Sequence, residues 1–401
     1  MAQSHGTNRR GLTILLFFTF FMVVGFEMIM PLIIGHYVNN MNFSATAVAF
    51  ALATRRFSQQ GLAMVGGVLA DRIDVRGLIS IGVFLRSIGF VTLAFASNFT
   101  LLLVSMVLAG LGGVLFETPY QTAIATLTTE ENRSRYYSLN NTITGIASTI
   151  GPLLGVFLLH LDFKAVCFGA AACFMITFII SRFTMPPILR QERSYSVGAS
   201  IKAVAKDRPF LVFTLLMVVF WLAASQINIS FPLRIEELSG SADSVGVMWA
   251  VYAAVTAVLQ YPLVSLTLRR YSPRQSVVIG IFTIASALLL MSFVNTTNMF
   301  LAVVVLFTLG MLLARPNQQT IAVAMADPQA MGMYLGTNSL GFALGSGFGS
   351  IMGGVLFDLA KKTGLNMLPW FLYGVLALAS MLGFMLYKNI EGPKIAVNKT
   401  K

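Results

Sequence analysis

A chain of 401 residues that is 56% hydrophobic and only 10% charged, with mean hydropathy +0.79, lies outside the range of soluble globular proteins. Its formal charge of +12 does not indicate nucleic-acid binding, because the Lys and Arg residues fall between apolar runs rather than in one basic patch. Runs of 18 or more apolar residues recur from end to end, each long enough as a helix to cross about 30 Å of hydrocarbon.

In chain order these runs predict twelve transmembrane helices, over residues 11–35, 44–69, 77–97, 101–127, 138–160, 165–185, 210–233, 244–267, 275–294, 299–326, 331–357 and 367–387. The expected fold is an all-α membrane protein of two pseudo-symmetric six-helix bundles, residues 1–185 and 210–401, joined by a cytoplasmic basic linker, residues 186–209. The first run exceeds the core of a signal peptide and lacks a cleavage signature, so it reads as a retained helix. Nineteen of the 27 Lys and Arg residues gather on one side of the membrane, which places both termini in the cytoplasm by the positive-inside rule.

The first span carries Glu27 and ends near Met30-Pro31-Leu32; the second carries Arg55 and Arg56, and the third Arg86. Glu117-Thr118-Pro119-Tyr120 follows in the fourth, and the fifth holds Gly145 and Gly151-Pro152-Leu153-Leu154-Gly155. Cys167 and Cys173 lie on different faces of the sixth span, so no disulfide between them is expected. The seventh has a polar stripe that includes Gln226 and Asn228, and the tenth carries Arg315 before Pro316. The eleventh holds a glycine run, Gly341 to Gly354, which reads as close helix packing. His36 and His160, at the non-cytoplasmic ends of their helices, read as ordinary wet histidines.

The halves echo each other. Met30-Pro31-Leu32 recurs as Phe231-Pro232-Leu233, Thr118-Pro119-Tyr120-Gln121 as Arg315-Pro316-Asn317-Gln318, and Gly155-Val156-Phe157-Leu158 as Gly354-Val355-Leu356-Phe357, at offsets of 201, 197 and 199 positions. Offsets that agree this closely point to a duplicated bundle. Such a bundle has a cavity between its halves, and rocking exposes that cavity to each side in turn.

Gly67-Val68-Leu69-Ala70-Asp71-Arg72-Ile73-Asp74-Val75-Arg76 resembles the loop signature of the major facilitator superfamily, with Asp74 and Val75 in place of the usual Gly and basic residue. The resemblance implies that Gly67, Asp71, Arg72 and Arg76 latch the halves in one conformation. Gly145, Gly151, Pro152 and Gly155 look like the antiporter motif of that superfamily's exporters. Met106 stands where the family's proton-relay motif has Arg, so coupling through that residue is not available. Arg55-Arg56-Phe57-Ser58-Gln59-Gln60-Gly61-Leu62, with Leu85-Arg86-Ser87 and Phe116-Glu117-Thr118-Pro119, resembles the MdtH-like branch of multidrug-resistance transporters.

A charge at membrane depth costs roughly 2.5–3.5 kcal/mol or more, so Glu27, Arg55, Arg56, Arg86, Glu117 and Arg315 each need a partner, a wet cavity or a task. Glu27 is expected as the principal proton-coupling acid and Glu117 as a second. Arg315, Arg55, Arg86, Tyr120, Gln226 and Asn228 are the expected substrate contacts. The function expected is proton-coupled antiport that exports amphipathic small molecules across a bacterial inner membrane, in contact with lipid and as a monomer. The alternative is transport of one anionic metabolite, such as a carboxylate siderophore or lysophospholipid, which the Arg excess favours. With no phosphate loop and no metal-binding or catalytic motif, no cofactor, metal or enzymatic activity is expected.

Overall fold

The computed structural model describes residues 5–62, 74–128, 130–185, 197–327, 330–387 and 390. The helices in chain order are α1 (His5–Gly35), followed by a π-turn at His36–Asn40, α2 (Ala45–Gly61), α3 (Val75–Ala94), α4 (Phe99–Leu127), α5 (Glu130–Leu159) and α6 (Phe163–Thr184). There follow α7 (Val197–Lys206), α8 (Arg208–Ala224), a 3₁₀ turn at Ser225–Asn228, α9 (Ser230–Ser239), α10 (Asp243–Arg270), α11 (Pro273–Met291), α12 (Thr297–Met325), α13 (Met331–Thr363) and α14 (Leu368–Leu386). Eleven segments among the described residues are long and apolar enough to span a membrane. The second of the twelve spans is α2, described over 17 residues that include Arg55 and Arg56. The protein is an all-α membrane protein of twelve transmembrane helices.

The chain divides into two compact units, Met1–Phe43 with Ala51–Arg193, and Ser44–Phe50 with Ser194–Lys401. The first turns of α2 thus belong to the second unit and the rest of it to the first. The stretch expected as a plain linker contains α7, whose Val204 is buried while Lys202 and Lys206 are exposed.

In the first unit, Asp74 caps α3 by accepting from the N–H groups of Arg76 and Gly77, so the residue that departs from the family's loop signature starts the helix. Asn98 caps α4 by accepting from Leu101 N at 2.9 Å. The helices α3 and α4 meet where Gly82 faces Gly112: a Cβ on Gly82 would lie 2.7 Å from Gly112 O. Arg76 Nη1 donates to Met185 O at 3.3 Å, fastening α3 to the end of α6.

The second unit repeats this scheme 198 positions later. Ser272 caps α11 in a capping box with Gln275, and Thr296 caps α12. A Cβ on Gly280 would lie 2.7 Å from Gly310 O, and Arg274 Nη2 donates to Phe384 O at 2.7 Å. Caps, crossing glycines and tethering arginine recur in the same register, which extends the repeat visible in the sequence.

Where one unbroken seventh span was expected, the helix changes pitch through the 3₁₀ turn and resumes as α9, where Pro232 lacks an N–H. Gly341, Gly345, Gly349 and Gly353 of α13, one per turn, lie against α8 and the 3₁₀ turn; a Cβ on Gly353 would lie 2.5 Å from Gln226 Oε1. Asp358, near the end of α13, accepts from Ala45 N at 3.1 Å, Thr46 N at 2.9 Å and Thr46 Oγ1 at 2.6 Å, capping the start of α2.

Candidate functional site

The site lies inside the first unit and begins with missing side chains. A Cβ on Gly113 of α4 would collide with the Arg86 guanidinium and lie 2.7 Å from Gln59 Cδ; one on Gly112 would lie 2.7 Å from Arg86 Cγ, and one on Gly110 2.7 Å from Arg55 O. This bare turn of α4 is the hollow that admits two arginines and a glutamine. Met106, one turn earlier, is fully buried.

Arg55 and Gln59 stand one turn apart on α2, both 7% exposed, and Arg86 on α3 is 5% exposed. Arg55 Nη1 donates to Gln59 Oε1 at 2.9 Å, and Gln59 Nε2 donates in turn to Glu117 Oε1. Arg86 Nη2 lies 3.9 Å from the same Glu117 oxygen, and Arg86 Nε donates to Ala109 O at 3.2 Å. The Phe26 ring of α1 receives both guanidinium groups over its face, at 4.9 Å for Arg55 and 5.7 Å for Arg86. Cation–π contact of this kind helps hold desolvated cations inside a bundle.

Glu117 differs from its partners: its side chain is 47% exposed. It sits ten residues before the end of α4, about 15 Å along the axis. Hydrocarbon against an ionised carboxylate there would be costly, so an ionised Glu117 requires water or polar groups on its open side. The cluster is thus a carboxylate with one oxygen fixed by protein donors and an open flank, and such a group can take up and release a proton.

Glu27 is half-buried on α1, next to Phe26, and acts electrostatically on Arg55. A Cβ on Gly151 would lie 2.8 Å from Glu27 Cβ, and one on Gly155 would run into Met28 O, so these glycines press α5 onto the turn of α1 that carries Glu27. Pro152 is buried beside them. Gly145 has nothing within 4 Å of where a Cβ would stand, so it makes no such contact.

Tyr120 is 7% exposed and its hydroxyl is engaged: Thr19 Oγ1 lies 2.5 Å away, and both hydroxyls reach Asn140 Oδ1, at 2.6 Å from Thr19 and 3.0 Å from Tyr120. Gln226 in the second unit is fully buried. Its amide donates to Gly349 O at 2.9 Å and Leu222 O at 3.1 Å, and accepts from Ser230 at 2.8 Å. With donors and acceptor all taken, it braces the break between α8 and α9. Asn228 is half-buried at the end of that break. Arg315 is exposed on α12 with no partner among the described residues. Gly67, Asp71 and Arg72 of the expected latch lie outside the described residues; Arg76 pairs with Asp74 at 3.7 Å. His36 is half-buried and stacked on Phe163 at 3.7 Å between ring centroids, unlike the wet residue expected, because the π-turn brings it onto the start of α6.

Sequence reasoning did not assign roles to Gln59, Phe26, Thr19 and Asn140. Gln59 carried a signal, standing four residues after a membrane arginine; the others became legible only when α1 and α5 were packed on α4.

The model of the Major Facilitator Superfamily matches residues 15–235 and 213–401. The chain belongs to the major facilitator superfamily. Among superfamily relatives, it is 32% identical over 381 residues to the multidrug resistance protein MdtH of Photorhabdus laumondii, covering 95% of this chain and 94% of that protein. It is 32% identical over 383 residues to MdtH of Yersinia pestis, covering 96% of each. In fold it resembles a POT family transporter solved with 5-aminolevulinic acid (TM-score 0.79, 14% identity, covering 94% of this chain and 96% of that one). It also resembles a bacterial homologue of the human lysosomal transporter Spinster (TM-score 0.70, 14% identity, covering 96% of each). As a member of the major facilitator superfamily the protein is a transporter and not an enzyme.

Proposed function

We propose that this transporter is a multidrug exporter that exchanges protons for amphipathic small molecules by alternating access in a bacterial inner membrane, with both termini in the cytoplasm. The relatives' designation as multidrug resistance proteins supports the cargo class. The observation that carries proton coupling is the half-open Glu117 carboxylate in a membrane helix, held on one oxygen by Gln59 and Arg86. Ionised, it is stabilised by these donors; protonated, it loses most of that attraction, so loading a proton loosens α4 from α2 and α3. Glu27 acts beside it through Arg55. Support for Glu117 as a carrier of the coupled proton comes from its contacts with Gln59 and Arg86.

Everted membrane vesicles test this reading. A lipophilic fluorescent cation should accumulate on acidification of the lumen, and Glu117→Gln should remove that response while the protein still reaches the membrane. Gradient-driven accumulation at the wild-type rate in the variant would exclude Glu117.

A second reading, transport of an anionic metabolite, draws on Arg315, an exposed guanidinium on a membrane helix that suits a carboxylate or phosphate. A panel of lipophilic anions and cations separates the two: Arg315→Gln should abolish anion transport under the second reading and leave cation export largely intact under the first.

A further inference from the structure

Arginine has donors only, so the Gln59 atom that meets Arg55 Nη1 must be the amide oxygen. That choice fixes the rest of the amide: its NH₂ group points to Glu117, where it meets an acceptor, Oε1. Arg86 approaches the same Oε1. No donor among the described residues reaches Glu117 Oε2. Resting on the reading of Glu117 as the proton site, we propose that Gln59 is its positioning residue, relaying the Arg55 charge through an oriented amide to Oε1 and thereby reserving Oε2 for the coupled proton. A proton arriving from water on the open flank adds to Oε2 and leaves a neutral carboxyl whose Oε1 still accepts from Gln59. On release the proton returns to water and the carboxylate regains its full attraction to both donors.

Helix α3 brings Arg86 within 3.9 Å of Glu117, α2 brings Arg55, whose charge interacts with Glu117, and Arg56 of α2 and Glu27 of α1 act electrostatically on Arg55. Arg55 has donor capacity to spare: its Nε is buried without an acceptor among the described residues. The bare Gly112–Gly113 turn leaves the amide room to lie between Arg55 and Glu117.

The sign of the effect follows from which form each donor favours. A donor to Oε1 stabilises the ionised carboxylate, so removing it raises the pH at which the proton leaves. Gln59→Met keeps the side-chain length and abolishes both dipoles. The pH midpoint of proton-coupled ethidium export, measured with the full chain in proteoliposomes, should rise by about one unit. Gln59→Lys places a cation beside Glu117 and should move the midpoint down. A residue that merely fills space would lower the rate in both variants without moving either midpoint. Should Lys not be accommodated, Gln59→Met decides alone.

Glu117→Gln separates the two ideas. If Glu117→Gln keeps the wild-type pH profile, the proton-site reading fails and this inference goes with it. If Glu117→Gln flattens the profile but Gln59→Met leaves the midpoint within about 0.2 units of wild type, Glu117 stands and the relay through Gln59 is wrong.

Discussion

Two glycines of the same motif should respond oppositely to alanine. At Gly155 a Cβ runs into the backbone oxygen of Met28, with Met28 C at 3.0 Å and Leu32 Cδ1 at 3.2 Å. Backbone cannot swing aside as a side-chain end can, so α5 and α1 must part along the contact that carries Glu27. Overpacking costs about 1–3 kcal/mol, here about 2–3 kcal/mol because the neighbour is backbone, and the better helix propensity of alanine returns roughly 1 kcal/mol, leaving a net loss of about 1–2 kcal/mol. At Gly145 no atom of the described residues lies within 4 Å, so Gly145→Ala keeps the propensity gain alone. The two variants should therefore differ by about 2–3 kcal/mol, several degrees in unfolding midpoint for a unit of this size. The assay is heat-induced loss of the monodisperse peak in detergent, at a fixed heating rate because membrane-protein unfolding is often irreversible. Gly155→Ala should unfold below wild type and Gly145→Ala at or above it. An unfolding temperature for Gly155→Ala equal to or above wild type would refute the packing argument for both glycines.

Other substitutions probe the remaining contacts. Gly113→Ala should push the flexible ends of Arg86 and Gln59 away from Glu117, raising the pH midpoint of transport while changing thermal stability little. Gln226→Leu leaves Gly349 O and the Ser230 hydroxyl without their partner in a buried site and should cost about 1–3 kcal/mol, read as a lower unfolding temperature. Asp358→Ala removes the acceptor at the start of α2 and should cost about 0.5–2 kcal/mol, with faster backbone hydrogen exchange confined to Ala45 and Thr46 and the turn after them.

The twelve spans and the duplication were legible in the sequence because each follows from a one-dimensional signal: run length or repeat offset. The glycine run of α13 was also legible, since small residues at every fourth position have few other uses in a membrane helix. The break at Ser225–Asn228 was not, because a polar stripe is equally compatible with an unbroken membrane helix and the cause is tertiary: Gln226 is held by Gly349 and Ser230. The same limit applies to the proposed proton site. Glu27 and Glu117 look alike in sequence, equally deep in apolar runs. What the sequence does not show is the bare turn at Gly112–Gly113, which lets Arg86 and Gln59 reach Glu117. The hydrogen bonds that already engage Gln226 and Tyr120 were not legible either, because composition cannot reveal which polar groups are satisfied.

Infrared difference spectroscopy of the purified protein, recorded as a transported lipophilic cation is added, would test the claim beneath all of this most directly. The account predicts that cargo binding erases a protonated-carboxyl band and raises a carboxylate band, and that both changes vanish in Glu117→Gln. The same difference bands persisting at full strength in Glu117→Gln would contradict it.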